Sequence, residues 1–132
     1  EPRNDTGFST AELEAKLTPA TPPFQQCLAA MGLNWRRRAD AGHRIQIPAI
    51  DFGPAHLLLL PGESYVEYQL AAQAERPDSF VCVSGYGEGA CGYVPTEQHF
   101  IEKDSNLVDW CWIAPGSESR MREAIRRVLE RQ

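Results

Sequence analysis

Two oxygen-bearing side chains, Glu63 and Tyr93, have the types and surroundings to do chemistry. Glu63 follows Leu57-Leu58-Leu59-Leu60-Pro61-Gly62, an apolar strand pattern that stops at a turn. Tyr93 closes the glycine-rich stretch GYGEGACG, thirty residues further on. Glu63 suits a metal ligand or a catalytic carboxylate, and Tyr93 is delivered by the loop that follows the second strand. Gly62 supports a site here, since glycine permits a tight turn and close backbone approach. The plainer role for Glu63 is a first-turn helix acid, favoured there by the helix dipole.

Other motifs carry less. The glycine stretch lacks a helix starting within its glycines, which a dinucleotide fingerprint needs, and it has no P-loop lysine. It reads as a mobile site loop. His43, His56 and His99 are widely separated, with no HxH or HExxH spacing, and each reads as an ordinary surface or core histidine. No GxSxG elbow supports a serine triad. The cysteines at 27, 82, 91 and 111 form no CxxC pair, which argues against a zinc knuckle or thioredoxin motif. Cys27, on an apolar helix face, and Cys82, inside a strand, read as buried free thiols. Cys91 and Cys111 lie in loop-like sequence, where a disulfide and two free thiols both stay open.

The elements that position Glu63 and Tyr93 follow from periodicity. Ala55–Leu60 reads as a central strand, its four leucines implying burial on both faces. Ser64–Arg76 reads as a helix with Val66, Leu70 and Ala74 on one face, stopped by Pro77. Phe80–Ser84 reads as a second buried strand. Strand, helix, strand is a βαβ unit, so the two strands are parallel with a right-handed crossover. Their carboxyl ends point the same way, which puts Glu63 and the loop after Ser84 on one rim. Such rims are where α/β proteins build sites.

Around this unit, Ser9-Thr10-Ala11-Glu12 is a capping box for a helix over about 10–17. A second helix starts near Pro22, with Phe24, Cys27, Leu28, Met31 and Trp35 as its apolar stripe, and ends at Ala41-Gly42. His43–Phe52 reads as an edge strand bulged at Pro48 and hairpinned to the leucine strand. Pro95-Thr96-Glu97 opens a short helix to about Lys103. A tryptophan-bearing loop follows, then a terminal helix from Ser117 to Arg131 with Met121, Ile125, Val128 and Leu129 inward.

The whole reads as a single α/β domain over 1–132, a two- or three-layer mixed sheet around a βαβ unit with packed helices. Positions 1–20 read as loosely attached. The formal net charge of −5 argues against a nucleic-acid partner. Arg36-Arg37-Arg38, at a helix end, complements the dipole rather than marking a phosphate-binding patch. No apolar run approaches the roughly 20 residues of a transmembrane helix.

The PGE turn, the helix after it, the strand Val81-Cys82-Val83-Ser84-Gly85, the run Gly92-Tyr93-Val94-Pro95-Thr96-Glu97 and the later Pro115-Gly116 together resemble the neutral/alkaline ceramidase family. The resemblance runs from about Trp35 onward and covers the carboxyl-terminal part of that family's catalytic domain. It implies a zinc-dependent amidohydrolase acting on the N-acyl amide of a sphingolipid-like substrate, and a secreted or periplasmic location. By position, Glu63 and Tyr93 would be two of four zinc ligands. The family's two histidine ligands and its catalytic serine- and arginine-bearing segments belong to an amino-terminal half absent from these residues. A tyrosine-glutamate pair of the family is replaced around positions 103–106 by KDSN. The expectation is the carboxyl-terminal part of a larger hydrolase, inactive alone, whose partners are a lipid-like amide and either an amino-terminal half or a second copy. The alternative is a non-catalytic α/β binding or oligomerisation module.

Overall fold

A computed structural model describes residues 1–130 of the chain. Its elements are α1 (Thr10–Ala15), α2 (Pro23–Asp40), β1 (Ala49–Asp51), β2 (Ala55–Pro61), β3 (Glu63–Ser64), α3 (Val66–Glu75), β4 (Phe80–Gly87), β5 (Tyr93–Val94), α4 (Glu97–Ile101) and α5 (Ser117–Glu130). A short 3-10 turn, Ser105–Leu107, lies between α4 and α5. The fold class is mixed α/β. One sheet has the order β1-β2-β4, and β3 pairs with β5 in a two-stranded ribbon. The part of the terminal helix expected at Arg131 lies outside the described residues.

The βαβ unit forms as its sequence requires. β2 and β4 are parallel, with Leu57 opposite Cys82 and Leu58 opposite Val83, and α3 is the crossover. β1 joins β2 as the antiparallel arm of a hairpin, Ile50 opposite Leu57. The edge strand is shorter than 43–52, because only Ala49–Asp51 pairs regularly. Pro48 has no N–H to donate, yet its carbonyl accepts from the Leu59 N–H at 3.1 Å. Ile45 and Ile47 pack on the core from an irregular segment.

Burial on β2 alternates. His56, Leu58 and Leu60 are sealed, while Leu57 and Leu59 are half-buried. Helices cover only one side: Tyr68 and Ala72 of α3 and Met121, Ile125 and Leu129 of α5 join Leu58, Leu60 and Val81 in one core. The other face carries Ile50, Leu57, Leu59, Phe80 and Cys82 and lies open, with Phe80 67% exposed. Burial of the leucine run on both faces is therefore corrected to burial on one. β4 is likewise an edge strand that buries Val81 and exposes Phe80, Cys82, Ser84 and Tyr86.

The inward face of α3 also differs from expectation. Val66 and Leu70 are exposed, and Tyr68 and Ala72 point inward. The Tyr68 ring is fully buried and its hydroxyl donates to the Pro95 carbonyl at 2.7 Å. A large ring with a satisfied polar tip gains more from the core than the aliphatic stripe does. The helix starts two residues late because Glu63 and Ser64 are drawn into the ladder with Tyr93 and Val94.

At the amino terminus, Ser9 and Glu12 close the capping box, and Pro23 takes the first position of α2. The α2 stripe turns so that Leu28, Ala29, Gly32, Leu33 and Trp35 are buried, leaving Phe24 and Cys27 outside. Trp112 lies against Gly32, its indole 2.6 Å from where a Cβ would be. The first residues are tied down rather than loose. The Ala114 N–H donates to Glu1 at 2.8 Å and the Arg3 N–H to Trp112 at 3.0 Å. The Arg3 guanidinium also donates to the Leu107 carbonyl at 2.6 Å. Arg3 thereby satisfies loop carbonyls that the sheet leaves unpaired.

Cys27 and Cys82 are exposed rather than buried as expected, Cys91 and Cys111 are buried, and all four are free thiols. The Gly92–Cys111 bridge draws the tryptophan loop over this region and seals it.

Candidate functional site

Glu63 stands directly opposite Tyr93 in the parallel β3–β5 ribbon, and Ser64 stands opposite Val94. The Glu63 N–H donates to the Gly92 carbonyl at 2.9 Å, and the Tyr65 N–H to Val94 at 3.1 Å. Opposed residues share a face and successive residues alternate, so Glu63 and Tyr93 take one face and Ser64 and Val94 the other. Gly62 makes this approach possible. Its φ is +51°, and a Cβ there would lie 2.4 Å from the Gly92 carbonyl oxygen and 2.9 Å from the Cys91 sulfur. Glu63 is not a first-turn acid: α3 is capped by Tyr65, and the acid of its first turn is Glu67. The helix-dipole role is thus unavailable to it.

A belt of tyrosines surrounds the pair. The Tyr86 hydroxyl donates to Glu63 Oε2 at 3.1 Å. Its backbone N–H donates to the Gly62 carbonyl at 2.6 Å, and its φ is +60°, unusual for a residue with a side chain. The hydrogen bond to the Glu63 carboxylate and then its charge push the Tyr86 phenol above the ordinary range. Tyr86 is therefore a protonated donor at neutral pH. Tyr65 lies edge-on to Tyr93, ring centroids 5.8 Å apart, and edge-on to His99 at 4.4 Å. Its hydroxyl donates to Asp104 at 2.9 Å, and burial, followed by this carboxylate, raises its phenol. Bonds from the Asn106 N–H and then the Tyr65 hydroxyl lower Asp104 in turn.

His99 closes the belt. Its Nδ1 is 2.9 Å from the Thr96 hydroxyl and its Nε2 is 3.6 Å from Glu67. The second Glu67 oxygen is buried without a partner among the described residues. His56 lies at the amino end of β2, away from this rim, between Asp51 at 3.5 Å and Arg76 at 3.2 Å. His43 is exposed beyond the end of α2.

Spacing alone missed Tyr86, Tyr65, His99 and Asp104. Tyr86 carried one signal, as a bulky residue inside a glycine run. Asp104 lies in the KDSN segment and reaches the rim through Tyr65.

Among the described residues, no three His, Cys, Asp or Glu side chains cluster in a way that could hold a metal ion. Glu63 and Tyr93 stand opposite one another in the ribbon, whereas a tetrahedral zinc site takes four ligands. This pair could supply at most two of them. The sequence matches no protein-family model, no curated protein and no solved structure.

Proposed function

We propose that these residues are the carboxyl-terminal part of a zinc-dependent amidohydrolase of the neutral/alkaline ceramidase type, cleaving the N-acyl amide of a sphingolipid-like substrate. The observation that carries the reading is the parallel register that sets Glu63 against Tyr93 on one face. Glu63 and Tyr93 would hold the metal from this side. Zinc, when bound, acidifies a water and polarises a carbonyl. Tyr86 orients the Glu63 carboxylate by keeping its proton on Oη. Tyr65 holds the Tyr93 ring edge-on while anchored to Asp104, which fixes the second donor. The remaining two ligands and the residues that position substrate come from polypeptide outside these residues, so the chain alone is inactive.

The test uses the natural gene product that contains these residues. It should carry stoichiometric zinc and release fatty acid from an N-acyl sphingosine. Glu63→Ala and Tyr93→Phe should each remove zinc and activity while circular dichroism is unchanged. Zinc content and activity that survive both substitutions refute the assignment.

The open sheet face favours a second reading, a non-catalytic α/β module that covers Ile50, Leu57 and Phe80 with a partner. A gene product without zinc or amidase activity, whose oligomer or complex dissociates on Phe80→Lys, supports it over the first.

A further inference from the structure

We propose that a cavity of about 610 Å³ behind the Glu63–Tyr93 ribbon binds an amphiphilic anion, a medium-length alkyl chain ending in a carboxylate. The volume lies within the roughly 300–1,000 Å³ of small-molecule sites. Its walls include Trp35, Ile45, Ile47, Val94, Met121 and Val128. Val94 lies on the ribbon face opposite Tyr93, so this is a different place from the metal-ligand pair. The inference does not depend on the proposed amidohydrolase.

Charge specifies the head group. Arg44, Arg120 and Arg127 all line the cavity, in a chain whose net charge is −5. On α5, Arg120, Met121, Ala124, Arg127 and Val128 share one helical face, which sets an apolar floor between two cations. Arg120 is engaged by Glu1 at 2.7 Å and Arg127 by Glu123 at 2.7 Å. Glu1 is the single acid on the lining among the described residues. Arg44 is exposed and has no hydrogen-bond or ion-pair partner among the described residues. An apolar lining with an exposed guanidinium that has no protein partner among the described residues disfavours a cationic amphiphile and offers a neutral one only uncharged hydrogen bonds. A carboxylate gains a bidentate partner there while its chain leaves water.

The test titrates decanoate, below its micelle concentration, into the intact chain and follows methyl and indole resonances by NMR. Decanoate should saturate one site and shift Trp35, Ile45, Ile47, Met121 and Val128. Acetate and decyltrimethylammonium should leave them unmoved. Arg44→Glu should weaken decanoate binding about five- to tenfold, in keeping with an exposed charge pair reversed rather than removed. Val128→Trp, which fills the cavity from a half-buried position, should abolish binding with the spectrum otherwise preserved. Equal binding of the decyl cation, an unchanged affinity in Arg44→Glu, or shifts confined to Ile50, Leu57 and Phe80 would each overturn the assignment.

Discussion

Gly62→Ala is the substitution that tests how the Glu63–Tyr93 pair is built. Three costs fall on it. An L-residue at φ +51° sits in the left-handed region, at about 1–2 kcal/mol. The added Cβ would lie 2.4 Å from the Gly92 carbonyl oxygen, and relieving such overpacking costs roughly 1–3 kcal/mol. That carbonyl accepts the Glu63 N–H at 2.9 Å, and moving it strains a bond worth about 1 kcal/mol net. These terms overlap, so the expected loss is about 3–5 kcal/mol. Gly53→Ala is the control. Its φ is +85° and a Cβ there meets nothing within 4 Å, so only the backbone cost of about 1–2 kcal/mol applies. Urea denaturation followed by tryptophan fluorescence, with m held constant, gives both values. Gly62→Ala should exceed Gly53→Ala by about 2–3 kcal/mol and should lose the contact between residues 63 and 93 in NOE spectra. If the two variants agree within about 0.5 kcal/mol, close packing of Gly62 on Gly92 is not what holds the ribbon, and the geometric basis of the site is refuted.

Three further outcomes follow from the core and the charges. Leu58→Ala should cost about 2–5 kcal/mol in urea melts and Leu57→Ala clearly less, because only Leu58 lies on the covered face; equal losses would contradict one-sided burial. Tyr68→Phe should cost about 1–3 kcal/mol, since it strands the buried Pro95 carbonyl that the hydroxyl serves at 2.7 Å, and a neutral result would remove Tyr68 as the residue that sets the inward face of α3. Glu118 is pushed up by burial, but the Glu97 N–H and the Arg122 guanidinium outweigh this and leave its carboxyl lowered. A lowered folded value means that its contribution is complete above the unfolded value and disappears as pH falls through the folded one. Glu118→Gln should therefore flatten the loss of stability below about pH 4.5, read from urea midpoints against pH.

The βαβ unit was legible because two apolar runs flank a helix and the crossover rule leaves one arrangement. That rule alone carried Glu63 and the segment before Tyr93 to one rim. The helix phase was not legible. Counting apolar positions favours Val66 and Leu70, and only the Pro95 carbonyl, brought close by the fold, makes Tyr68 the better core residue. Arg3 was read as part of a loose tail because its partners, the carbonyls of Leu107 and Cys111, are more than a hundred positions away. Tyr86 escaped notice because its role needs a positive φ that side chains rarely adopt. Cys27 and Cys82 were misplaced because helix and strand membership do not say which face is covered.

The open sheet face comes with its own reporter. Cys82 sits in the middle of it, exposed, between Phe80 and Ser84. Cys27 is exposed on α2, while Cys91 is buried and pushed up to about 11 by that burial. Thiolate is the species that alkylates, so Cys91 stays unreactive at neutral pH. The chain therefore holds an internal footprinting scale: Cys27 as the solvent reference, Cys91 as the buried reference, and Cys82 between them. Iodoacetamide rates measured on the natural gene product report whether anything lies over β4. If Cys82 labels as fast as Cys27, the face is bare; if it slows toward Cys91, a layer of polypeptide covers it.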